Sequence, residues 1–402
     1  MLTFAILLSA VCGYGLLHTY VVFPRLTRRR AAGRKLDTLH YTDADAEWPR
    51  VTVLMAVFNE ELVLRDKLDA LLALNYPRHR LRIRVGSDYS TDATNDILHE
   101  YAGLEACLHP RYFQSRQGKP GIINQLARAA LADPPPGSGP HLFLLTDASV
   151  MPRPDALLKM ARHFKTPHLA LVDAHMVHTG LQRSGISQSE DRYISSEVQL
   201  KQAESIVYRR LVGPFGGCYL LRADYYAEVP DHHLVDDFYI CMKAYERGGL
   251  GINDLEAVCY EAVGHEEREE FRRKVRISAG NWQNLAAFRG LWWPPLSGFS
   301  YAFFSHKILR WLGPFFLLGL AGGLGLWAWL TDNQILDSAF VLLLAGLAVP
   351  PLLDRGLRAA HLHWRPLRNV SYFLSMNLAL LVGFGRYLNG IKTNVWQPSK
   401  RY

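Results

Sequence analysis

From Leu2 to Phe23 the chain is apolar and carries no charge, and no other feature constrains its folding as strongly. At a helical rise of about 1.5 Å per residue, a run of this length crosses the roughly 30 Å hydrocarbon core of a bilayer. Arg25, Arg28, Arg29, Arg30, Arg34 and Lys35 follow it, so the positive-inside bias keeps that flank in the cytoplasm. A cleaved signal peptide would carry its positive charge before the apolar run and a small-residue cleavage site after it; this segment has neither and reads as an anchor. Three more apolar runs, Ile308 to Leu330, Ile335 to Leu353 and Val370 to Leu388, are separated by a TDNQ link and a basic link from Asp354 to Arg368. The basic link is expected on the cytoplasmic side. Counting crossings then places the tail KTNVWQPSKRY outside, whereas its own basic residues argue for inside, and the sequence leaves the parity open.

The near-zero mean hydropathy averages over unequal parts, a polar domain and membrane segments. Much of the formal charge of +8 sits in the juxtamembrane links, where it suits anionic lipid headgroups; no nucleic-acid partner is indicated. Cys12, Cys107, Cys218, Cys241 and Cys259 are odd in number and lack CxxC spacing, so neither a zinc site nor a disulfide framework is indicated.

Between the membrane segments, short apolar runs at Val51 to Val57, Leu81 to Val85 and His141 to Leu145 alternate with helical patterns at Leu62 to Leu74, Asp92 to Tyr101 and Gly121 to Ala132. Strands alternating with helices imply an α/β domain on a parallel, doubly wound sheet. Pro134 to Pro140 reads as a loop. Ligands of such sheets bind outside the carboxyl ends of the strands. The residues at those ends are polar and acidic: Phe58-Asn59-Glu60-Glu61, Gly86-Ser87-Asp88 and Thr146-Asp147-Ala148-Ser149. Any one such aspartate is commonly a helix N-cap, and Asp92 reads as one; three ends converging on polar groups exceed what composition supplies.

A sugar nucleotide would need cations near its diphosphate and acceptors near its base and ribose. Asp88 is the candidate contact on the second count, and Lys119, in a Gln117-Gly118-Lys119-Pro120 segment expected to be a flexible loop, on the first; Asn59 and Glu60 are further candidates for binding substrate. A solvated lysine is the plain alternative for Lys119. Asp147 is the leading ligand for a divalent cation, which needs hard oxygen donors, with Ser149 and His265 as further candidates. In Leu234-Val235-Asp236-Asp237-Phe238 two carboxylates open a helix that stops at Gly248-Gly249. One can cap; the other remains free as a general base. Gly213 to Gly217 is rich in small residues, as a backbone lying against a ligand requires, although a plain turn is also compatible; Gly216 and Gly217 are the candidate contacts. Glu266 to Gln283 reads as a helix, acidic first and basic next, on which Arg273 and Arg276 share a face able to hold a departing diphosphate.

The ordered segments VTVLMAVFNEE, VGSDYSTDAT, QGKPGIIN, LLTDASVMPRPDAL, GPFGGCYLLR, LVDDFYICMKAYERGG and FRRKVRISAGNWQ resemble the family 2 glycosyltransferases. The likeness is to their membrane-integrated branch, which includes cellulose, hyaluronan and poly-N-acetylglucosamine synthases, and it spans Val51 to Gln283. It implies a GT-A fold, Rossmann-like with a mostly parallel sheet, plus transmembrane helices. It also implies a UDP-sugar donor, a divalent cation (Mg2+ or Mn2+) and inversion at the anomeric carbon. On this resemblance Asp88 contacts the uridine, Lys119 belongs to the GK segment, Asp147 is the first acid of the DxD metal motif, Asp237 is the catalytic base and Arg276 is the arginine of QxxRW. Two departures stand out: DxD is here Asp147-Ala148-Ser149, and QxxRW is here Arg273-Lys274-Val275-Arg276-Ile277. The first leaves the metal one acid short; the second removes the aromatic platform of processive synthases.

The expected organisation is a transmembrane helix at 1–24, a basic linker at 25–50, a GT-A domain at 51–284, an interfacial segment at 285–307, about three transmembrane helices in 308–392 and a tail at 393–402. The expected function is transfer of a sugar from a UDP-sugar to a glycan or lipid-linked acceptor at the cytoplasmic face of a bacterial inner membrane, in contact with membrane lipids and open to an accessory subunit. The alternative is a membrane-bound pseudoenzyme or partner subunit that binds nucleotide without turnover.

Overall fold

The computed structural model describes residues 1–180, 187–262, 267–296, 298–360, 362, 364–391 and 393, with the side chains of 187–193 and 267 set aside. Among these, residues 30–180, 194–262, 391 and 393 build one compact unit, and residues 1–29, 187–193 and the described part of 267–390 build a second.

The first unit is organised on an eight-stranded sheet. Its strands are β1 (Arg50–Val57), β2 (Leu81–Ser87), β3 (Leu108–Tyr112), β4 (His141–Thr146), β5 (Val150–Pro152), β6 (Leu169–Thr179), β7 (Cys218–Arg222) and β8 (Leu250–Ala262), in the spatial order β3-β2-β1-β4-β7-β6-β8-β5. β1 is central, and Val51, Val53, Met55 and Val57 are fully buried in the core. A parallel strand covered on both faces reads as a continuous apolar run. The helices Leu64–Leu72, Thr94–Leu104 and Gly118–Ala132 connect the parallel strands.

Register decides where the polar ends fall. β1 runs parallel to β2 with Val57 opposite Ser87, and parallel to β4 with Leu54 opposite Leu145. The residues that follow, Phe58, Asp88 and Asp147, therefore emerge at one edge. β7 runs antiparallel to both β4 and β6, with Thr146 opposite Cys218. The sheet is therefore mixed and mostly parallel, as expected of a GT-A domain. The reversal starts β7 at the same edge and brings Gly216 and Gly217 beside Asp147.

The second unit is helical. Four helices are long and apolar enough to cross a membrane: Leu2–Ala31, Gly313–Thr331, Gln334–Ala359 and Arg365–Leu388. The first packs closely on Gly313–Thr331 through small residues, Gly319 lying against Cys12 and Gly323 against Ser9 and the Ala5 carbonyl. The basic link expected from Asp354 to Arg368 is shorter than that, since helix continues to Ala359 and resumes at Arg365. Asp354 is buried and pairs with Arg358 and Arg368 at 3.3 Å each, so charges that suggested a loop are absorbed between helices. The helix Glu267–Ala287 belongs to this second unit.

Candidate active site

The loops after β1 and β2 are laced together. Asn59 takes a left-handed backbone (φ 52°); its Oδ1 accepts the Thr91 amide at 2.9 Å and its own amide donates to Ser90 Oγ at 3.2 Å. The amide of Glu60 donates to Thr94 Oγ1, and that of Glu61 to Asp92 Oδ2. Asp92 also accepts the Thr94 amide at 3.0 Å, in keeping with a helix-start role.

Asp88 has no exposed surface. Its carboxylate accepts the amides of Gln117 (2.6 Å) and Gly118 (3.1 Å) and the Nε of Arg116 (3.0 Å). The Arg116 guanidinium lies 3.3 Å from the centre of the Phe58 ring. Asp88 thus holds the start of the helix Gly118–Ala132, an anion where unpaired amides and the helix dipole favour one.

That anchoring places Lys119. The expected flexible loop is corrected: Lys119 lies in the first turn of the helix, where Pro120 is tolerated because its missing amide has no helical partner. Its Nζ donates to Asp147 Oδ1 at 2.6 Å and lies 3.9 Å from Asp236 Oδ2. Burial draws its proton affinity down, but Asp147, Asp236 and Asp237 raise it by more, and the net shift is upward.

Asp147 sits on the turn between β4 and β5, its side chain 39% exposed, and its amide donates to the Gly217 carbonyl at 3.1 Å. Ser149 is half-buried on the same turn. Asp236 and Asp237 open the helix Asp236–Glu246, but the expectation that one of them caps it is corrected: the N-cap is Val235 and no side chain makes a capping hydrogen bond. Burial and the neighbouring Asp236 push the Asp237 carboxyl up to about 6, against the pull of Lys119. Gly216 has φ 82°, and a β-carbon there would collide with the Asp237 carboxylate. A side chain at position 216 is excluded both by backbone conformation and by this contact.

The fold therefore gathers Lys119, Asp147, Gly216, Gly217, Asp236 and Asp237 at one edge. Arg273 and Arg276 lie on the helix Glu267–Ala287 of the second unit, where Arg273 forms a two-point contact with Glu270 at 2.7 and 3.0 Å. His265 lies outside the described residues.

Two supports escape a reading of the sequence. Arg116 gives no signal beyond its nearness to Lys119. Buried Asp173 accepts the Phe215 amide at 3.1 Å and pairs with buried Lys201 at 3.2 Å, whose ammonium lies 3.9 Å from the Phe215 ring centre. Together they hold the glycine-rich loop that backs Asp237. An aspartate inside the apolar run LALVDAHMV is its one sequence trace.

The donor set suits a hard cation that arrives with its own oxygens. Asp147 and Ser149 supply one carboxylate and one hydroxyl, and Mg2+ or Mn2+ commonly takes one or two carboxylates together with substrate phosphates. Among the described residues no group of three or more His, Cys, Asp or Glu could hold an ion unaided.

Residues 52–229 match the family described as Glycosyl transferase family 2. A stretch of 56 residues, 14% of this chain, is 46% identical to "Probable glycosyltransferase YdaM" of Bacillus subtilis (strain 168) and spans 13% of that protein. A stretch of 148 residues, 33% of this chain, is 26% identical to "Procollagen galactosyltransferase 1-A" of Xenopus laevis and spans 24% of it. Among solved structures, "Mannosyltransferase PcManGT from Pyrobaculum calidifontis in complex with GDP-Man and Mn2+" is similar over 96% of this chain and 98% of that one, with a TM-score of 0.66 and 21% identity. Residues 52–229 thus form a domain that matches family 2 glycosyltransferases and has a GT-A fold, and the chain spans well under a third of the length of the curated relatives it matches.

Proposed function

We propose that the chain transfers a sugar, with inversion, from a nucleoside-diphosphate sugar to a hydroxyl of a glycan or lipid-linked acceptor at the cytoplasmic face of a membrane. The observation that carries this reading is the placement of Asp237, a carboxyl that burial and Asp236 push up to about 6, backed by a glycine and set among Asp147, Lys119 and Asp236. Asp237 takes the proton of the acceptor hydroxyl as its oxygen attacks the anomeric carbon, and the bond from that carbon to the diphosphate oxygen breaks with its electron pair leaving on the nucleotide. Lys119 exchanges its contact with Asp147 for the diphosphate and offsets the charge developing there. Asp147 and Ser149 would hold a divalent cation, which when bound neutralises diphosphate charge.

Asn59 and Glu60 line the edge on the base side, and Asp88 acts on the nucleotide through the Arg116 to Gly118 segment that it anchors. For Arg273 and Arg276 the diphosphate role rests on motif order alone. The motifs favour a UDP-sugar, whereas the similar mannosyltransferase was solved with GDP-Man and Mn2+, so both bases belong in the test. The basic flank after the first apolar helix supports a cytoplasmic position in a bacterial inner membrane.

The test is nucleoside-diphosphate release by the full chain in detergent, with UDP- and GDP-sugars and with Mn2+ or Mg2+, comparing the native protein with Asp237→Asn. Cation-dependent release that the variant loses supports the proposal. Undiminished turnover in the variant removes Asp237 as base; nucleotide binding without cation dependence or release for any donor favours the pseudoenzyme.

A further inference from the structure

The helix Leu64–Leu72 turns Leu64, Lys67, Leu68 and Leu71 toward the core, the spacing of one helical face. Three of these are leucines. Lys67 is the exception, and it has no exposed surface at all.

Its amine is not spent on an ion pair. Nζ donates to Thr146 Oγ1 at 2.8 Å and to the Val150 carbonyl, and among the described residues no carboxylate lies within ion-pair distance of it. Burial lowers the proton affinity of this amine; a polar group so placed is costly, and a methionine of similar length would pack among the same leucines at lower cost. Stability of the core therefore does not account for a lysine here.

Its two acceptors do. Thr146 ends β4 and Val150 begins β5, so a single amine fastens both ends of the turn Asp147-Ala148-Ser149. The clamp extends further: Thr146 Oγ1 donates to the Gly217 carbonyl at 3.0 Å, and the Asp147 amide donates to that carbonyl too. Gly217 adjoins Gly216, which backs Asp237. Lys67 thus ties the turn that presents Asp147 to the loop that supports the base.

We propose that Lys67 is a positioning residue for the diphosphate end of the site, holding the Asp147 turn in the geometry that captures a divalent cation with its nucleotide, in a turn that has a serine in place of a second acid. This deepens the reading of Asp147 given above and rests on it.

The experiment is a titration of Mn2+, followed by its electron paramagnetic resonance signal, into the full chain in detergent with UDP or GDP present. The native chain is compared with Lys67→Met and Thr146→Val, and thermal stability is measured in parallel. Lys67→Met is expected to melt no lower than the native chain yet to need about tenfold more Mn2+ for half-saturation, the usual size of effect when an outer partner of a metal ligand is lost. Thr146→Val, which removes one of the two acceptors, is expected to shift the midpoint in the same direction by a smaller factor. A purely structural lysine would move the melting temperature and leave the Mn2+ midpoint alone, and that result overturns the proposal. Should Lys67→Met fail to fold, an unmoved midpoint in Thr146→Val overturns it equally. If the native chain binds Mn2+ with nucleotide and Lys67→Met binds it as well, only this inference falls; if the native chain shows no such binding, the reading of Asp147 falls too.

Discussion

Replacing Asp237 by asparagine should stabilise the folded protein at neutral pH while removing its turnover. Burial and Asp236 raise the carboxyl from an ordinary 3.8 to about 6, with Lys119 opposing. Each pH unit of that gap corresponds to about 1.4 kcal/mol, so the ionised Asp237 costs the fold about 3 kcal/mol at most. The folded state holds this proton to a higher pH than the unfolded chain does. Stability is therefore lost as pH rises from about 4 to about 6, and the loss persists above that. Asparagine carries no such penalty. In a domain of this size 1 kcal/mol moves the melting temperature by roughly 2–4 °C, so Asp237→Asn should melt several degrees above the native chain at pH 7.5 and by a smaller margin at pH 5. Differential scanning fluorimetry in detergent measures this. The same carboxyl must be ionised to act as a base, so kcat/KM of the native enzyme should rise about tenfold per pH unit below about 6 and level off above it. A variant that melts lower at pH 7.5, or an acid limb centred at the ordinary carboxylate value, would refute the reasoning.

Three further outcomes follow from the same geometry. Lys119→Met removes the cation that holds Asp237 down, so the acid limb should move above pH 6 while nucleoside-diphosphate affinity, measured by calorimetry, falls about tenfold. Gly216→Ala places a β-carbon against the Asp237 carboxylate in a left-handed backbone, and steady-state kinetics should give kcat lowered about tenfold or more with KM for the donor little changed. Arg116→Ala removes both the Phe58 stack and a donor to Asp88, and hydrogen exchange at the Gln117 and Gly118 amides should quicken.

Part of this organisation was legible in the sequence because it is written in local pattern. The run Val51 to Val57 reads as a strand since a central parallel strand is buried on both faces, and the adjacent acids Asp236 and Asp237 read as a helix start. β3, LHPRY, was missed: it lies at the sheet edge, only its leucine is buried, and it contains a proline. The helix holding Lys119 was expected to begin three residues later, because Gly118 and Pro120 read as loop residues when no partner for the freed amides is known.

The sequence by itself determined the helices long and apolar enough to cross a membrane, the alternation of strands and helices, and the polar character of the strand ends, because each depends on the hydrophobicity and spacing of neighbouring residues. Only the tertiary structure decided what those polar groups do. Asp88 is taken up by Arg116, Gln117 and Gly118; Lys119 reaches Asp147; Gly216 meets Asp237; and Lys67 clamps the turn between Thr146 and Val150. Each of these contacts joins residues some 20 to 80 positions apart, and their distances are set by the register of β1, β2 and β4 and by the reversal at β7. A charge placed at a strand end by its own neighbours acquires a pKa, a partner and a role only from residues that the sheet brings to the same edge.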